Sequence, residues 1–111
     1  MKKKLFQNYE FELDKNQTKI ISGFAKQAVK QMEGDDKLVK EVRLFNSIID
    51  KLNSSPNKVK FTKEEKTRLV FQLKENTKHL QKKIDNSWFL TRWFYKNMFN
   101  QYQNTIELFE N

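Results

Sequence analysis

Cysteine is absent from the 111 residues, so no disulfide framework and no thiol chemistry can be built. That absence suits the reducing cytoplasm, which is the compartment expected here. Histidine occurs once, as His79. With no cysteine and no carboxylate pair beside it, a metal site cannot be assembled around it. On a helical template His79 falls away from the apolar stripe, as an ordinary exposed helix residue does. Glycine occurs twice and proline once, which leaves few breaks and favours long helices. No glycine-rich loop is present to cradle a phosphate, and no G-x-S-x-G elbow to present a nucleophile. Glu64 and Glu65 are adjacent carboxylates, but at a helix start they are explained by capping and by the macrodipole. No catalytic residue, cofactor or metal is expected, and the chain does not read as an enzyme. Long hydrophobic runs are also missing. The most apolar stretch, residues 88–99, is interrupted by Arg92, Lys96 and Asn97 and cannot cross a bilayer, which takes about twenty largely apolar residues. The basic start Met1–Lys4 is followed by Leu5–Glu10, which is not an apolar core, so no export signal is read.

What is present is charge and aromatic bulk. Only 37% of the chain is hydrophobic, but 14% is aromatic, with ten Phe, two Trp and three Tyr. Each ring buries a large area, which argues for a folded chain. The length fits a single helical domain over 1–111, with 1–8 as a loose basic end. Lys and Arg number 22 against 14 Asp and Glu, for a formal charge of +8. Such a balance suits nucleic acid, anionic lipid or an acidic protein. Because 19 of the 22 cations are Lys, and phosphate recognition leans on the guanidinium fork, solvation is the simpler account.

The chain is organised around Lys58–Leu73, KVKFTKEEKTRLVFQL. Val59 and Phe61 alternate with Lys58 and Lys60, the period of a half-buried strand. Thr62 and Glu65 then form T-x-x-E, a capping box that starts a helix at Lys63. The same layout occurs at Phe11–Gln17: apolar, charged, apolar, Asp14 as cap, and Gln17 three residues on. Tyr9, Phe11 and Leu13 alternate with Glu10 and Glu12, opposite in sign to Lys58 and Lys60. A two-stranded ribbon of residues 9–13 and 58–61 follows, with Tyr9, Phe11, Leu13, Val59 and Phe61 on its buried face. A shift of the chain by 48 residues, read from the numbering, superposes Asp14 on Thr62 and Gln17 on Glu65. It suggests a β-α-α unit used twice, with almost no identities to support common descent.

Four helices are expected, over about 15–33, 36–53, 63–84 and 87–109. The first buries Ile20, Ile21, Phe24, Ala25, Ala28, Val29 and Met32. It carries Gly23 inside and ends at Gly34, placed as a left-handed C′ residue. The second, capped by Asp35 or Asp36, has Leu38, Val42, Phe45, Ile49 and Leu52 on its stripe and Ile48 beside it. Residues 53–57 form the clearest loop. The third has a narrow stripe of Leu69, Leu73, Leu80 and Ile84, with Asn76 where an apolar residue would fit. Residues 85–87 break the pattern and supply a cap. The last buries Trp88, Tyr95, Phe99, Tyr102, Ile106 and Phe109, widened by Leu90, Phe94 and Met98.

The fold class is therefore mainly α, a small bundle of about four helices with a minor two-stranded ribbon. Two surfaces are candidates for function. In the last helix Phe89 and Trp93 fall off the aromatic stripe, beside Arg92 and Lys96. Large aromatics with cations on a polar face suit protein contact, although another helix or a second copy of the chain would explain them as plain core. In the third helix Lys74, Lys78 and Lys82 share one face, flanked by Arg68. That row could follow a phosphate backbone, and a solvated face is the plainer account. The Lys-rich helical make-up and the stretch Lys58–Glu65, KVKFTKEE, resemble the bacteriocin immunity proteins, which are antiparallel helix bundles. The leading expectation is a non-enzymatic protein-binding or regulatory module that docks through Phe89, Arg92, Trp93 and Lys96. The alternatives are a nucleic-acid binder using Arg68, Lys74, Lys78 and Lys82, and an immunity-type protein at the membrane surface. A homodimer is also open.

Overall fold

A computed structural model describes residues 9–86 and 88–110. The elements are strand β1 (Tyr9–Glu12), helix α1 (Lys15–Met32), a 3-10 turn (Asp36–Leu38), helix α2 (Val39–Ser54), strand β2 (Lys58–Phe61), helix α3 (Lys63–Asn86) and helix α4 (Phe89–Glu110). The fold is mainly α with one two-stranded sheet. Its order runs strand–helix–helix twice. The expected basic end, residues 1–8, and the expected cap Ser87 lie outside the described residues. The chain divides into two compact units, residues 1–69 and 70–111.

The first unit is built on the ribbon. β1 and β2 pair antiparallel, with Tyr9 opposite Phe61, Glu10 opposite Lys60, Phe11 opposite Val59 and Glu12 opposite Lys58. Alternation puts Val59 and Phe61 on the buried side, at 1% and 0% exposure, with Leu13 buried just beyond β1. The Phe11 and Phe61 rings lie 6.1 Å apart. On the open side the charges interleave, and Lys58 reaches Glu10 at 4.0 Å across the diagonal. Against this ribbon α1 and α2 supply Ile21, Phe24, Ala25, Phe45, Ile48 and Leu52, all buried. In α2 the buried line runs through Phe45, Ile48 and Leu52, so Ile48 is central and Val42 and Ile49 are only half-buried.

Both capping boxes form. The Gln17 N–H donates to Asp14 Oδ1 at 2.7 Å and the Asp14 N–H to Gln17 Oε1 at 2.9 Å. The Glu65 N–H donates to Thr62 Oγ1 at 3.1 Å and the Thr62 N–H to Glu65 Oε1 at 2.8 Å. The two boxes differ in burial. Asp14 and Gln17 are solvent-accessible, whereas Glu65 is only 5% exposed. Its Oε1 also takes the Lys51 ammonium at 2.6 Å, and its Oε2 the Ser47 hydroxyl at 2.6 Å. Burial alone would raise the carboxyl's pKa. The bonds from Lys51, Ser47 and the Thr62 N–H, with the Lys51 charge, outweigh it and hold Glu65 below the ordinary glutamate value. Alongside, Arg68 clasps Glu41, Nε to both carboxylate oxygens at 3.2 and 3.0 Å.

Gly34 follows α1 with φ 90°, the left-handed C′ position that glycine adopts without strain. Asp35 then caps the 3-10 turn through the Lys37 N–H at 3.0 Å, so the second helix starts as 3-10 and becomes α only at Val39. Gly23 is different: a methyl group placed there meets nothing within 4 Å and its φ is ordinary.

Two outcomes follow. Gly23→Ala should stabilise the protein by about 0.5–1 kcal/mol, because alanine loses less backbone entropy in a helix, and a urea midpoint measures it. Glu65 ionises more readily folded than unfolded, so its contribution is full above the ordinary glutamate range and is lost as pH falls through the folded value. Glu65→Gln should therefore be less stable than the parent at neutral pH, and the gap should close on acidification.

Candidate functional site

The second unit holds residues 70–86 of α3 and all of α4. Lys74 Nζ meets Glu110 Oε2 at 2.7 Å, and Lys83 Nζ lies 5.5 Å from the centre of the Tyr95 ring. The two helices therefore run antiparallel. Their buried residues are Val70, Leu73, Thr77, Leu80 and Ile84 from α3, and Thr105, Ile106 and Phe109 from α4. The place expected for Asn76 belongs to Thr77. Both buried threonines satisfy their hydroxyls on their own helix, Thr77 on the Lys74 carbonyl and Thr105 on the Gln101 carbonyl, each at 2.8 Å. Asn76 is half-buried and donates to the Gln72 carbonyl at 3.3 Å. α3 also runs two residues beyond the expected Ile84. Gln81 donates to Asp85 at 3.0 Å and Asn86 to the Lys82 carbonyl at 3.0 Å, which lets the polar residues extend the helix.

α4 changes character along its length. Ile106 and Phe109 are buried, and Tyr95, Met98, Phe99 and Tyr102 are half-buried. Burial raises the Tyr102 hydroxyl above its ordinary pKa, which keeps it neutral. The first turns are open: Trp88 is 70% exposed, Phe89 67%, Trp93 68% and Phe94 54%. The expected burial of Trp88 and Phe94 is thus corrected. The aromatic stripe is open at its first turns and buried only toward Ile106 and Phe109.

The exposed residues form a defined face. Trp88, Arg92 and Lys96 are spaced by four and share a row, and Phe89 and Trp93 form the row beside it. The Arg92 N–H donates to the Trp88 carbonyl at 2.8 Å, so Trp88 already belongs to the helical ladder. The Trp88 and Phe89 rings lie 5.4 Å apart. Aromatic and cationic side chains alternate across the face, and both Arg92 and Lys96 are exposed. The four residues singled out from the sequence come together here, joined by Trp88. Trp88 was missed because the stripe template placed it with Tyr95, and its four-residue spacing from Arg92 and Lys96 was the available signal.

The α3 cations fare differently. Arg68 is committed to Glu41, Lys74 to Glu110, and Lys78 to Glu75 at 3.3 Å. Lys82 is exposed and takes part in no ion pair among the described residues. His79 is exposed. Among the described residues no group of three or more His, Asp or Glu could hold a metal ion, and no helix is long and apolar enough to cross a membrane. No family model, curated protein or solved structure matches this chain.

Removing Trp93 should leave stability within about 0.5 kcal/mol, as at exposed sites generally. Phe109→Ala, at 1% exposure, should cost roughly 3–5 kcal/mol through the cavity it leaves. Paired thermal melts of the two variants make the comparison.

Proposed function

We propose that the protein is a non-enzymatic interaction module that docks a partner protein through Trp88, Phe89, Arg92, Trp93 and Lys96. The observation that supports this reading is the exposure of large aromatics on the open end of α4, in rows shared with two cations. Water-exposed tryptophan contributes nothing to the fold, whereas tryptophan and arginine are the residues that carry contact energy. The charges select the partner's chemistry: an apolar groove edged by carboxylates. They also disfavour a homodimer through this face, since two copies would oppose Arg92 and Lys96 to themselves. A regulatory role in the cytoplasm is part of the proposal.

A second reading is supported by Phe94, which is exposed off the main face. Aromatics open on more than one side, with cations among them, also suit the headgroup layer of an anionic membrane. This is the immunity-type alternative. The nucleic-acid alternative has less support, because three of its four residues spend their charge on internal carboxylates.

The deciding experiment compares the parent chain with Trp93→Ala. A partner retained from host lysate by the parent should bind the variant at least about 30-fold more weakly, the equivalent of 2 kcal/mol at a hot spot. The variant should melt with the parent. Equal retention by both chains would remove the α4 face from the interaction. Sedimentation of the parent, but not the variant, with phosphatidylserine vesicles would favour the membrane reading.

A further inference from the structure

The ribbon has an edge with unused backbone. In an antiparallel pair, alternate residues turn N–H and C=O toward the partner strand, and the residues between them turn theirs away. The Leu13 N–H donates to the Asn57 carbonyl at 2.9 Å, in the same register that sets Phe11 opposite Val59 and Tyr9 opposite Phe61. Asn57, Val59 and Phe61 thus face β1, and Lys58 and Lys60 direct their backbone groups to the outer edge of β2. The Lys58 N–H is taken by the Ser55 carbonyl at 3.3 Å. No backbone hydrogen bond outside the ribbon engages Lys60 among the described residues.

That edge borders a groove of about 560 Å³, lined by Lys58, Val59 and Lys60 on one side and by α2 residues including Ser47, Asp50 and Lys51 on the other. Successive strand side chains point to opposite faces. Three consecutive residues can line one groove only along the strand's edge, so the groove and the unused backbone groups coincide.

We propose that this edge docks an extended acidic segment of a partner protein, which adds a third strand beside β2. Strand addition takes affinity from backbone pairing and specificity from alternate side chains. Lys58 and Lys60 share the exposed face of the ribbon, so a segment with carboxylates at alternate positions would set them beside these ammonium groups. Asp50 opposes this, but three lysines line the groove against that one carboxylate. Lys51 is held by Glu65 at 2.6 Å, and Lys58 lies 4.0 Å from Glu10, a long contact between exposed side chains that an incoming carboxylate can replace, so Lys60, with Lys58, reads the ligand. Lysine on an edge strand also discourages pairing with a second copy of the same edge. The site uses none of the α4 residues, so it stands or falls independently of that face.

The probe is a blocked hexapeptide alternating valine and glutamate, titrated into the isotopically labelled full chain. Amide shifts should concentrate at Lys58–Phe61 and along residues 47–55. The same peptide N-methylated at alternate residues cannot pair along its edge and should bind at least tenfold more weakly. A valine–lysine peptide should not bind, and Lys60→Gln should lose affinity several-fold. Absence of shifts, shifts confined to α4, or equal binding of the N-methylated peptide would each overturn the proposal. The N-methylated arm uses the unaltered protein and so does not depend on any variant folding.

Discussion

The buried carboxylate of Glu65 ties the first unit together. Withdrawing a charge from water is costly, and a buried carboxylate is tolerated only when its lone pairs are used. Glu65 uses them on the Thr62 N–H, the Lys51 ammonium and the Ser47 hydroxyl. The first bond fixes where α3 begins, directly after β2. The other two fix α2 against that start. A strand, the helix that follows it and the preceding helix are thereby held by one side chain. The direction of its pKa shift gives the balance: the three bonds and the Lys51 charge outweigh the penalty of burial.

The capping grammar that places Glu65 was legible because it is local. Four residues decide a capping box, and both boxes form with both reciprocal bonds. The ribbon was legible for a related reason. Period-2 alternation fixes which side of each strand is buried, and a one-residue slip would expose Val59 and Phe61. Opposite charges at Glu10, Glu12, Lys58 and Lys60 then favoured pairing between these two strands. The β-α-α order appears twice, and the second use of the box adds what the first lacks, a buried glutamate in place of a half-buried glutamine.

What the sequence concealed is tertiary. Helical periodicity identifies a face but not the length over which something covers it. The aromatic stripe of α4 is continuous in the sequence, yet Trp88 at one end is 70% exposed and Phe109 at the other 1%. The α3 stripe misled in a smaller way. Thr77 stands outside the stripe of Leu69, Leu73, Leu80 and Ile84, yet a threonine on a helix can return its hydroxyl to a carbonyl of the preceding turn and then be buried like valine. The open edge of β2 was also hidden, since only the register shows which backbone groups face outward.

Net charge was the least informative of the bulk properties. The excess of lysine suits nucleic acid, anionic lipid or an acidic protein alike, and a solvated surface more simply. Lys51, Arg68, Lys74 and Lys78 then prove to be occupied with Glu65, Glu41, Glu110 and Glu75. Among the described residues, no ion pair involves Lys60, Lys82 or Lys96. Two of these three lie on surfaces where something other than charge is also unsatisfied: strand backbone beside Lys60, and tryptophan and phenylalanine beside Lys96. Charge alone would attract any polyanion, and weakly in physiological salt. Combined with an open strand edge or an aromatic cluster, the same charge would restrict a partner to one that is anionic and also extended, or anionic and also apolar. Such double requirements separate a binding surface from a solvated one.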